Sequence, residues 1–219
     1  TGKIYGSVTV GDSNKEVWRT PEVYDAMELG SRLYCYTLLG TVFNNVESYL
    51  PSEKTQNTSK VSDLSPKLTL DDSAAQYASD WPSDDNGFQY TLQKKESEDS
   101  GLWVSFKLNV SRSCYGFILS INDNGDMELC YPKDGNVEPI AFSAGDSEIA
   151  NTIKIGDEIK KGYKVSTGRS IFAIAVFDKQ KDAASVLRSL RLGASFNNKN
   201  KSCEINYLLL DVENYQPAS

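Results

Sequence analysis

One uninterrupted apolar segment constrains the fold of this chain more than any other feature. Residues Ile171–Phe177 are apolar at every position and partly β-branched. A strand covered on both sides reads as a continuous apolar run, whereas a half-buried strand alternates apolar and polar residues. The segment is therefore predicted to be a central strand buried on both faces. It is the longest apolar run of the chain, far below the roughly 20 residues of a membrane-spanning helix, so no transmembrane segment is expected.

Shorter strands joined by turns are predicted on either side of this segment. Phe88–Leu92 and Leu102–Val110 alternate apolar and polar residues, as half-buried strands do. Cys114–Ile121 leads through the sequence DNGD at 123–126 into Met127–Tyr131. The Asn-Gly pair tolerates the positive φ angles of a tight turn, so this stretch predicts a β-hairpin. The other strand candidates are Lys3–Val10, Ile140–Phe142, Ile153–Ile155, Tyr163–Val165 and Glu204–Val212.

Several helices are predicted between these strands. The Thr20-Pro21-Glu22 run is a favourable helix start, and Gly30 is expected to end that helix. The next stretch is ambiguous: Leu33–Leu38 is typical of a strand, and the residues from Leu39 to Leu50 show helical spacing, so a strand followed by a helix is favoured. Two further helices are predicted at Ser73–Ala78, capped by Asp71 or Asp72, and at Asp182–Leu192.

This order of elements predicts a β-rich α+β fold, in which a sandwich-like antiparallel or mixed sheet carries a few helices. Hydrophobic residues make up 39% and charged residues 24% of the 219 residues, as in a globular protein with a proper core. We expect an N-terminal α/β portion at 1–100 and a β-rich domain at 101–219. One continuous domain is the alternative.

The absence of histidine from the sequence excludes several classes of chemistry. Ser-His-Asp and Cys-His catalysis, histidine acid–base catalysis and histidine-ligated metals all require this residue. The sequence also has no nucleotide-binding glycine loop and no nucleophile–base motif. A net charge of −7 disfavours nucleic acid as a partner. The chain is therefore predicted not to be an enzyme, with a hydrolase that uses carboxylates alone left open.

Four cysteines are widely spaced and form no C-x-x-C motif, so zinc-ribbon and thioredoxin-type motifs are disfavoured. They are Cys35, Cys114, Cys130 and Cys203. Each lies in a strand-like context, and small core residues are the favoured interpretation, with one or two disulfides as the alternative.

The sequons at Asn57, Asn109 and Asn200 are about as many as chance provides. The chain begins at Thr1 without methionine, which suggests a processed or truncated chain and leaves its localisation open.

Acidic turns supply the candidate metal ligands. These are Asp84, Asp85, Asp123 and Asp126, whose carboxylate oxygens suit calcium. The turns do not satisfy the spacing of an EF-hand loop, and acidic residues are common in ordinary turns. Ordinary turns are therefore favoured, no cofactor is predicted, and calcium is the alternative. The candidates for a glycosidase-type carboxylate pair are Glu96, Glu98, Asp99, Asp123 and Asp126.

Tryptophans supply the candidate binding residues. Trp81 and Trp18 are proposed here because flat aromatic rings can stack on sugars or on protein partners. Trp81 lies beside Pro82 and an acidic turn, which favours partial exposure. Trp103 lies within an alternating strand, so core packing is the default for its side chain.

Several short motifs occur in order along the C-terminal half. They are the strand Cys114–Leu119 running into Asn122–Gly125, the strand Leu129–Pro132, the Gly145-Asp146 segment with the later Thr152–Ile155, and the Gly168–Ala175 entry to the apolar strand. From about Gly101 onward, this pattern resembles the bacterial domain of unknown function numbered 4384. The resemblance implies a β-rich sandwich with an interaction-type role, because that family is often attached to caspase-like peptidases or kinases. It implies no catalytic residues.

The leading function is a non-catalytic protein-interaction or regulatory domain, an accessory part of a larger bacterial protein. The alternative is a carbohydrate-binding or adhesin-like module that calcium would assist. An exposed apolar patch without a deep cleft would favour a protein partner. Asp, Glu and Trp side chains that converge in a concave pocket would instead favour a glycan. The sequence leaves the identity of the partner and the oligomeric state open.

Overall fold

The structure is a computed structural model that describes residues 7–10, 15–19, 26–42, 64–80, 89–94, 102–132, 138–150, 152–155, 158–191 and 203–214. The first strands are β1 (Ser7–Val10), β2 (Lys15–Arg19), β3 (Lys67–Leu70), β4 (Ala78–Asp80), β5 (Gln89–Lys94), β6 (Leu102–Val104), β7 (Phe106–Val110) and β8 (Cys114–Asn122). The later strands are β9 (Met127–Tyr131), β10 (Ile140–Phe142), β11 (Gly145–Ile149), β12 (Thr152–Ile155), β13 (Glu158–Lys161), β14 (Tyr163–Val165), β15 (Gly168–Phe177) and β16 (Cys203–Asn214). The α-helices of the described residues are α1 (Ala26–Val42) and α2 (Gln180–Arg191).

Seven strands form the largest sheet, and β15 lies near its centre. Across its width the order is β10, β8, β15, β16, β5 and β4, and β9 pairs with a second stretch of β8. β8, β15 and β16 are antiparallel neighbours, whereas β5 runs parallel to β16. β15 pairs with β16 from Gly168 to Phe177 and with β8 from Ser170 to Phe177. The whole apolar segment is thus held between two strands.

The prediction of a central strand buried on both faces is confirmed. Residues 171–177 are all buried, with exposed fractions of 3% or less. Side chains alternate between the two faces of a strand, so Phe172 and Ile174 belong to one core, and Ile171 and Ala173 to the other. A strand of this kind is stable only if a packed layer covers each face of its sheet.

The two helices cover one face of the large sheet. Apolar side chains of α1 and α2 form one core with the odd-numbered residues of β8 and β15, where the Phe117 and Phe177 ring centroids are 5.9 Å apart. The buried helix residues are Cys35, Leu38, Leu39, Ala183, Val186, Leu187 and Leu190. Three of these, Val186, Leu187 and Leu190, are the residues that the amphipathic pattern of the predicted C-terminal helix places on one face.

A smaller β layer covers the opposite face. It comprises the three-stranded sheet β11–β7–β3 and the two-stranded ribbon β14–β6. Leu68, Phe106 and Leu108 pack in one core with Phe172 and its neighbours, and the Phe106 and Phe172 ring centroids are 4.8 Å apart. The molecule therefore has the predicted β-rich α+β fold, in which a mixed sheet lies between helices and a second β layer.

Side chains of β16 attach β3 to the large sheet. The Glu204 carboxylate accepts hydrogen bonds from the backbone N–H groups of Leu64 at 3.2 Å and Ser65 at 2.9 Å. Asn206 Oδ1 accepts a third, from the Leu68 N–H at 2.9 Å. Backbone donors at the edge of a sandwich need such partners when a neighbouring strand does not supply them. These bonds fix where β3 begins.

The predictions of the β8–β9 hairpin and of a short helix near residue 73 are confirmed. β8 and β9 form the predicted hairpin, and Gly125 adopts a φ of +80°, which suits glycine. The helix predicted near residue 73 is a short 3-10 helix at Asp72–Tyr77. Its cap is Asp71, whose carboxylate accepts a hydrogen bond from the Ser73 N–H at 2.9 Å.

The prediction of a helix stop at Gly30 and a strand at Leu33–Leu38 is wrong. α1 continues through both without a break, and Cys35 therefore lies on a helix. Glycine costs a helix roughly 1 kcal/mol relative to alanine, and burial of an apolar helix face outweighs such local preferences. Here the buried face includes Cys35 and Leu38. The second predicted helix, from Leu39 to Leu50, overlaps the end of α1 at residues 39–42, and residues 43–50 lie outside the described residues.

Strands on both sides of residue 100 belong to the same sheets. β3 pairs with β7, and β5 pairs with β16, so interstrand hydrogen bonds cross the domain boundary that is expected near this residue. The sequence did not predict β2, β3, β4, β11 and β13. These strands have five residues or fewer, and such short segments carry little periodic signal.

We expect Gly30→Ala to stabilise the protein by about 0.5–1 kcal/mol, the usual cost of glycine in a helix interior. A methyl group at this position would meet no heavy atom of the described residues within 4 Å. Urea unfolding should show the gain. Gly145→Ala is the matched control: its surroundings are equally open, but its φ of +93° disfavours any L-residue, so it should destabilise. A destabilised Gly30→Ala variant would contradict the continuous helix.

We expect Glu204→Ala to lower the free energy of unfolding by about 1.5–3 kcal/mol, because it removes two hydrogen bonds to a charged acceptor. Glu213→Ala is the control, since Glu213 is an exposed residue of the same strand. Denaturant unfolding of both variants measures the difference. Equal stability of the two variants would contradict the role assigned to the Glu204 carboxylate in holding β3.

Candidate functional site

A pocket with a volume of about 590 Å³ lies at one end of the large sheet. Its lining comes from residues 120–130 of the β8–β9 hairpin, from residues 162–170 on β14 and the start of β15, and from Trp103 and Phe172. These segments are far apart in the sequence and meet because β8 pairs with β15 and β6 pairs with β14. Its size falls within the usual range of small-molecule sites.

Polar side chains of the large sheet form the floor of the pocket. Alternation along β8 and β15 places Ser120, Asn122 and Ser170 on the same face as the core residues Ile118 and Phe172. Asn122 lies directly opposite Ser170, and Ser120 directly opposite Phe172. The face that is apolar in the middle of the sandwich therefore becomes polar at this end.

The β6–β14 ribbon forms one wall, and a close backbone contact holds its two strands together. Gly162 has a φ of +116°, and a Cβ atom there would lie 2.4 Å from the Val104 carbonyl oxygen, so only glycine fits. The next residue, Tyr163, is buried against Phe106, with 5.4 Å between ring centroids. Trp103 and Lys164 lie opposite each other in the ribbon and also line the pocket.

The Tyr163 hydroxyl is buried and has no hydrogen-bond partner among the described residues. Burial raises its pKa, and the nearby Cys130 and Tyr131 add to the effect, so the phenol stays neutral at physiological pH. An unpaired buried hydroxyl costs about 1–3 kcal/mol. The neighbouring aromatic contacts offset part of this cost, and the oxygen itself is closed to solvent.

The hairpin at the mouth of the pocket is organised by Asn122. Its Oδ1 atom accepts hydrogen bonds from the Asn124 N–H at 3.0 Å and from the Asp126 N–H at 2.9 Å. Its Nδ2 group donates to Asp126 Oδ2 at 3.1 Å. One amide side chain thus holds the loop in a fixed turn, and acidic residues such as Asp126 are placed at the pocket by that turn.

Charges of both signs line the pocket. The acidic side chains are Asp123, Asp126 and Glu128, and the basic ones are Lys164 and Arg169. All five residues are exposed. A carboxylate accepts hydrogen bonds, and an ammonium or guanidinium group donates them. The pocket therefore presents acceptors and donors together, and Trp103 is also part of its lining.

The structure brings two of the predicted site residues together and leaves the others undescribed. Asp123 and Asp126, candidates for metal binding and for a carboxylate pair, both line the pocket. Trp18 lies in β2, but its side chain is outside the described part. The remaining candidates, Trp81, Asp84, Asp85, Glu96, Glu98 and Asp99, lie outside the described residues altogether.

In the described part of the chain, no cluster of three or more Asp, Glu, Cys or His side chains could hold a metal ion. Asp126 instead belongs to the turn network of Asn122, and Asp123 accepts a hydrogen bond from the Tyr34 hydroxyl. The Asn122 network is that of an ordinary turn, and the bond from Tyr34 joins the hairpin to α1. Calcium at this place stays a prediction without structural support.

Several pocket residues were not recognised in the sequence. Ser120, Asn122 and Ser170 lie near the ends of apolar strands, where polar residues are usually assigned to turns. Polar residues at core-facing positions of a strand could have indicated the pocket, because a buried face should remain apolar along its length. Trp103 was assigned to the core, yet it is half-buried and lines the pocket.

The four cysteines are buried thiols that are not joined in disulfides. Burial raises the pKa of Cys35 from 9.0 to about 12, partly offset by the nearby Arg32, and raises the pKa of Cys114 to about 11. Burial also raises the pKa of Cys203 well above its usual value. Thiols in this state are not nucleophiles at neutral pH, and they act as small core residues.

Among the described residues, no helix has both the length and the apolar character that crossing a membrane requires.

We expect stability to fall as the pH rises above about 9. Unfolded thiols ionise near pH 9, whereas folded Cys35 and Cys114 keep their protons to about pH 12 and 11. Between these values the unfolded state binds fewer protons, so the free energy of unfolding decreases by up to about 1.4 kcal/mol per pH unit and thiol. Urea unfolding from pH 8 to 10 measures the slope. Cys35→Ala should reduce it, and an equal slope in that variant would contradict the assignment.

No protein-family model, curated protein or solved structure matches this chain. The resemblance of its C-terminal half to domain family 4384 thus stays a prediction. A function for the pocket has to be inferred from the residues that line it.

Proposed function

We propose that this chain is a non-catalytic binding domain whose pocket binds a neutral saccharide. The observation that carries the proposal is the convergence of Trp103 with carboxylate, amide, hydroxyl and cationic side chains around one pocket of about 590 Å³. Small-molecule sites combine an apolar or aromatic surface with a few placed polar groups in this way. Of the two functions considered from the sequence, the glycan-binding alternative therefore has the better support.

The chemistry of a saccharide fits the composition of this lining. A sugar hydroxyl donates one hydrogen bond and accepts others, so it needs acceptors and donors side by side. Glu128 and Asp126 supply acceptors, and Lys164 supplies donors. A flat aromatic residue such as Trp103 packs well against the apolar face of a sugar ring. The three acidic residues outnumber the two basic ones, which favours a neutral ligand over an anionic one.

A non-catalytic role is supported by the side chains that are present. The sequence contains no histidine, and the Asp123 and Asp126 carboxylates already accept hydrogen bonds from Tyr34 and Asn122. The general acid of a glycosidase usually lies in an apolar environment. Both aspartates are instead exposed. A hydrolase that uses carboxylates alone stays a prediction, and release of reducing sugar from a bound oligosaccharide would establish it.

A protein partner has less support from the described surface. Its exposed large apolar side chains are Met27 on α1 and Ile159 on β13. Single exposed apolar residues are normal, whereas interaction sites present contiguous apolar patches. The role of a regulatory or accessory domain in a larger bacterial protein thus stays a prediction, and it is compatible with a domain that binds a glycan.

The proposal predicts that wild-type protein binds at least one member of a panel of glucose, mannose, galactose and N-acetylglucosamine oligosaccharides in calorimetric titration. Ser120→Leu should abolish binding, since leucine would fill the floor of the pocket. Trp103→Ala should weaken it about fivefold, because an aromatic contact contributes ~1 kcal/mol.

Ser143→Leu is the matched control. Ser143 is exposed and does not line the pocket, so its variant should bind as the wild type does. Each variant is first compared with the wild type by circular dichroism and thermal unfolding. The proposal fails if no saccharide of the panel binds, or if the folded Ser120→Leu variant binds as well as the wild type.

A further inference from the structure

A cluster of four side chains joins helix α1 to the pocket. The Tyr34 hydroxyl of α1 donates a hydrogen bond to Asp123 Oδ1 in the hairpin. Arg169, at the start of β15, lies over the Tyr34 ring, with its Cζ atom 5.4 Å from the ring centroid. Arg169 Nε also pairs with Asp211 Oδ2 at 3.6 Å. Tyr34 thus contacts two charged residues from separate parts of the chain.

The two charged residues line the pocket, whereas Tyr34 and Asp211 do not. Each keeps hydrogen-bonding capacity for a ligand. Asp123 uses Oδ1 for the bond from Tyr34, and its Oδ2 atom has no partner among the described residues. Arg169 directs Nε toward Asp211, and its two terminal amino groups have no hydrogen-bond partner in the described part of the chain. Both side chains contact Tyr34 of α1, so the pair offers one acceptor and two donor groups at the helix-side edge of the pocket.

We infer that Asp123 and Arg169, both held by Tyr34, recognise two adjacent hydroxyl groups of the saccharide. This inference rests on the proposed function and identifies the residues that would recognise the hydroxyl groups of the ligand. One hydroxyl donates to the Asp123 carboxylate, and its neighbour accepts from the Arg169 guanidinium group. Hydrogen bonds to charged groups are about twice as strong as those between neutral groups. A ligand without neighbouring hydroxyls could satisfy only one of the two residues.

Tyr34 acts as a positioning residue in this arrangement. Asp123 and Arg169 are exposed, and long or exposed side chains lose conformational entropy when a ligand immobilises them. A hydrogen bond to one and a cation–π contact to the other reduce that loss before the ligand arrives. The ion pair of Arg169 with Asp211, directly opposite in the neighbouring strand, restrains the guanidinium group further.

The test compares Tyr34→Phe and Asp123→Asn with the wild type. Tyr34→Phe removes the hydroxyl and keeps the ring beneath Arg169, whereas Asp123→Asn removes the charge of the acceptor. Calorimetric titration uses the panel oligosaccharide that the wild type binds, together with its monodeoxy analogues. Each variant should lose about threefold to tenfold in affinity, the range of a single hydrogen bond. One monodeoxy analogue should bind the wild type more weakly and bind Asp123→Asn with no further loss.

Tyr115→Phe is the matched control. Tyr115 is half-buried at the opposite end of β8 and does not line the pocket. Like Tyr34, it packs against the core that the helices form with the large sheet. Its variant should bind the saccharide within twofold of the wild type. Hydrogen exchange adds a second readout: Tyr34→Phe should speed exchange of the amides at 122–126, while amides of β16 exchange as in the wild type.

The outcomes separate the inference from the proposed function. If the wild type binds a saccharide and both pocket variants bind it equally well, the inference is overturned and the proposed function stands. If Tyr34→Phe speeds exchange throughout the chain, Tyr34 serves the fold in general, and its positioning role is overturned. If the wild type binds no saccharide of the panel, the proposed function fails and the inference fails with it.

Discussion

The burial of one strand on both faces determines the rest of this structure. β15 carries seven consecutive buried residues, and it is paired along its length with β8 and β16. Apolar side chains on both faces of a sheet are stable only when a packed layer excludes water from each. The helices supply one layer, and the β11–β7–β3 sheet with the β6–β14 ribbon supplies the other. The remaining elements are arranged around this requirement.

The pocket lies at the end of the large sheet, where one face of β8 and β15 is no longer apolar and needs no packed layer to cover it. On the face covered by the second β layer, β8 and β15 change from apolar residues such as Ile118 and Phe172 to Ser120, Asn122 and Ser170. Polar side chains at these positions do not need an apolar cover, so the β6–β14 ribbon can stand off the sheet. The close contact of Gly162 with the Val104 carbonyl holds the two strands of the ribbon together. The result is a cavity with a polar floor and a wall that contains both aromatic and charged residues.

Sequence reasoning predicted the elements whose signals are local. β15, the Asn-Gly hairpin and the apolar face of α2 follow from a run, a turn pair and a 3.6-residue period, and each is present. α1 was wrongly divided into a helix that ends at Gly30 and a strand at Leu33–Leu38, because Gly30 is a strong local stop signal that tertiary burial overrides. The pocket was missed because it depends on pairing between distant strands. Of the predicted site residues, Asp123 and Asp126 line the pocket because they lie in the predicted hairpin. The strands that pair with this hairpin could not be deduced from sequence spacing.

The most direct test of this account is a crystal structure of the protein with the oligosaccharide of the panel that binds most tightly. The account predicts that the sugar lies at the end of the large sheet, with its hydroxyl groups near Ser120, Asn122 and Ser170. Trp103 should contact its ring. A sugar bound to another surface would contradict the assignment of the pocket, even though the protein would then still be a glycan-binding domain.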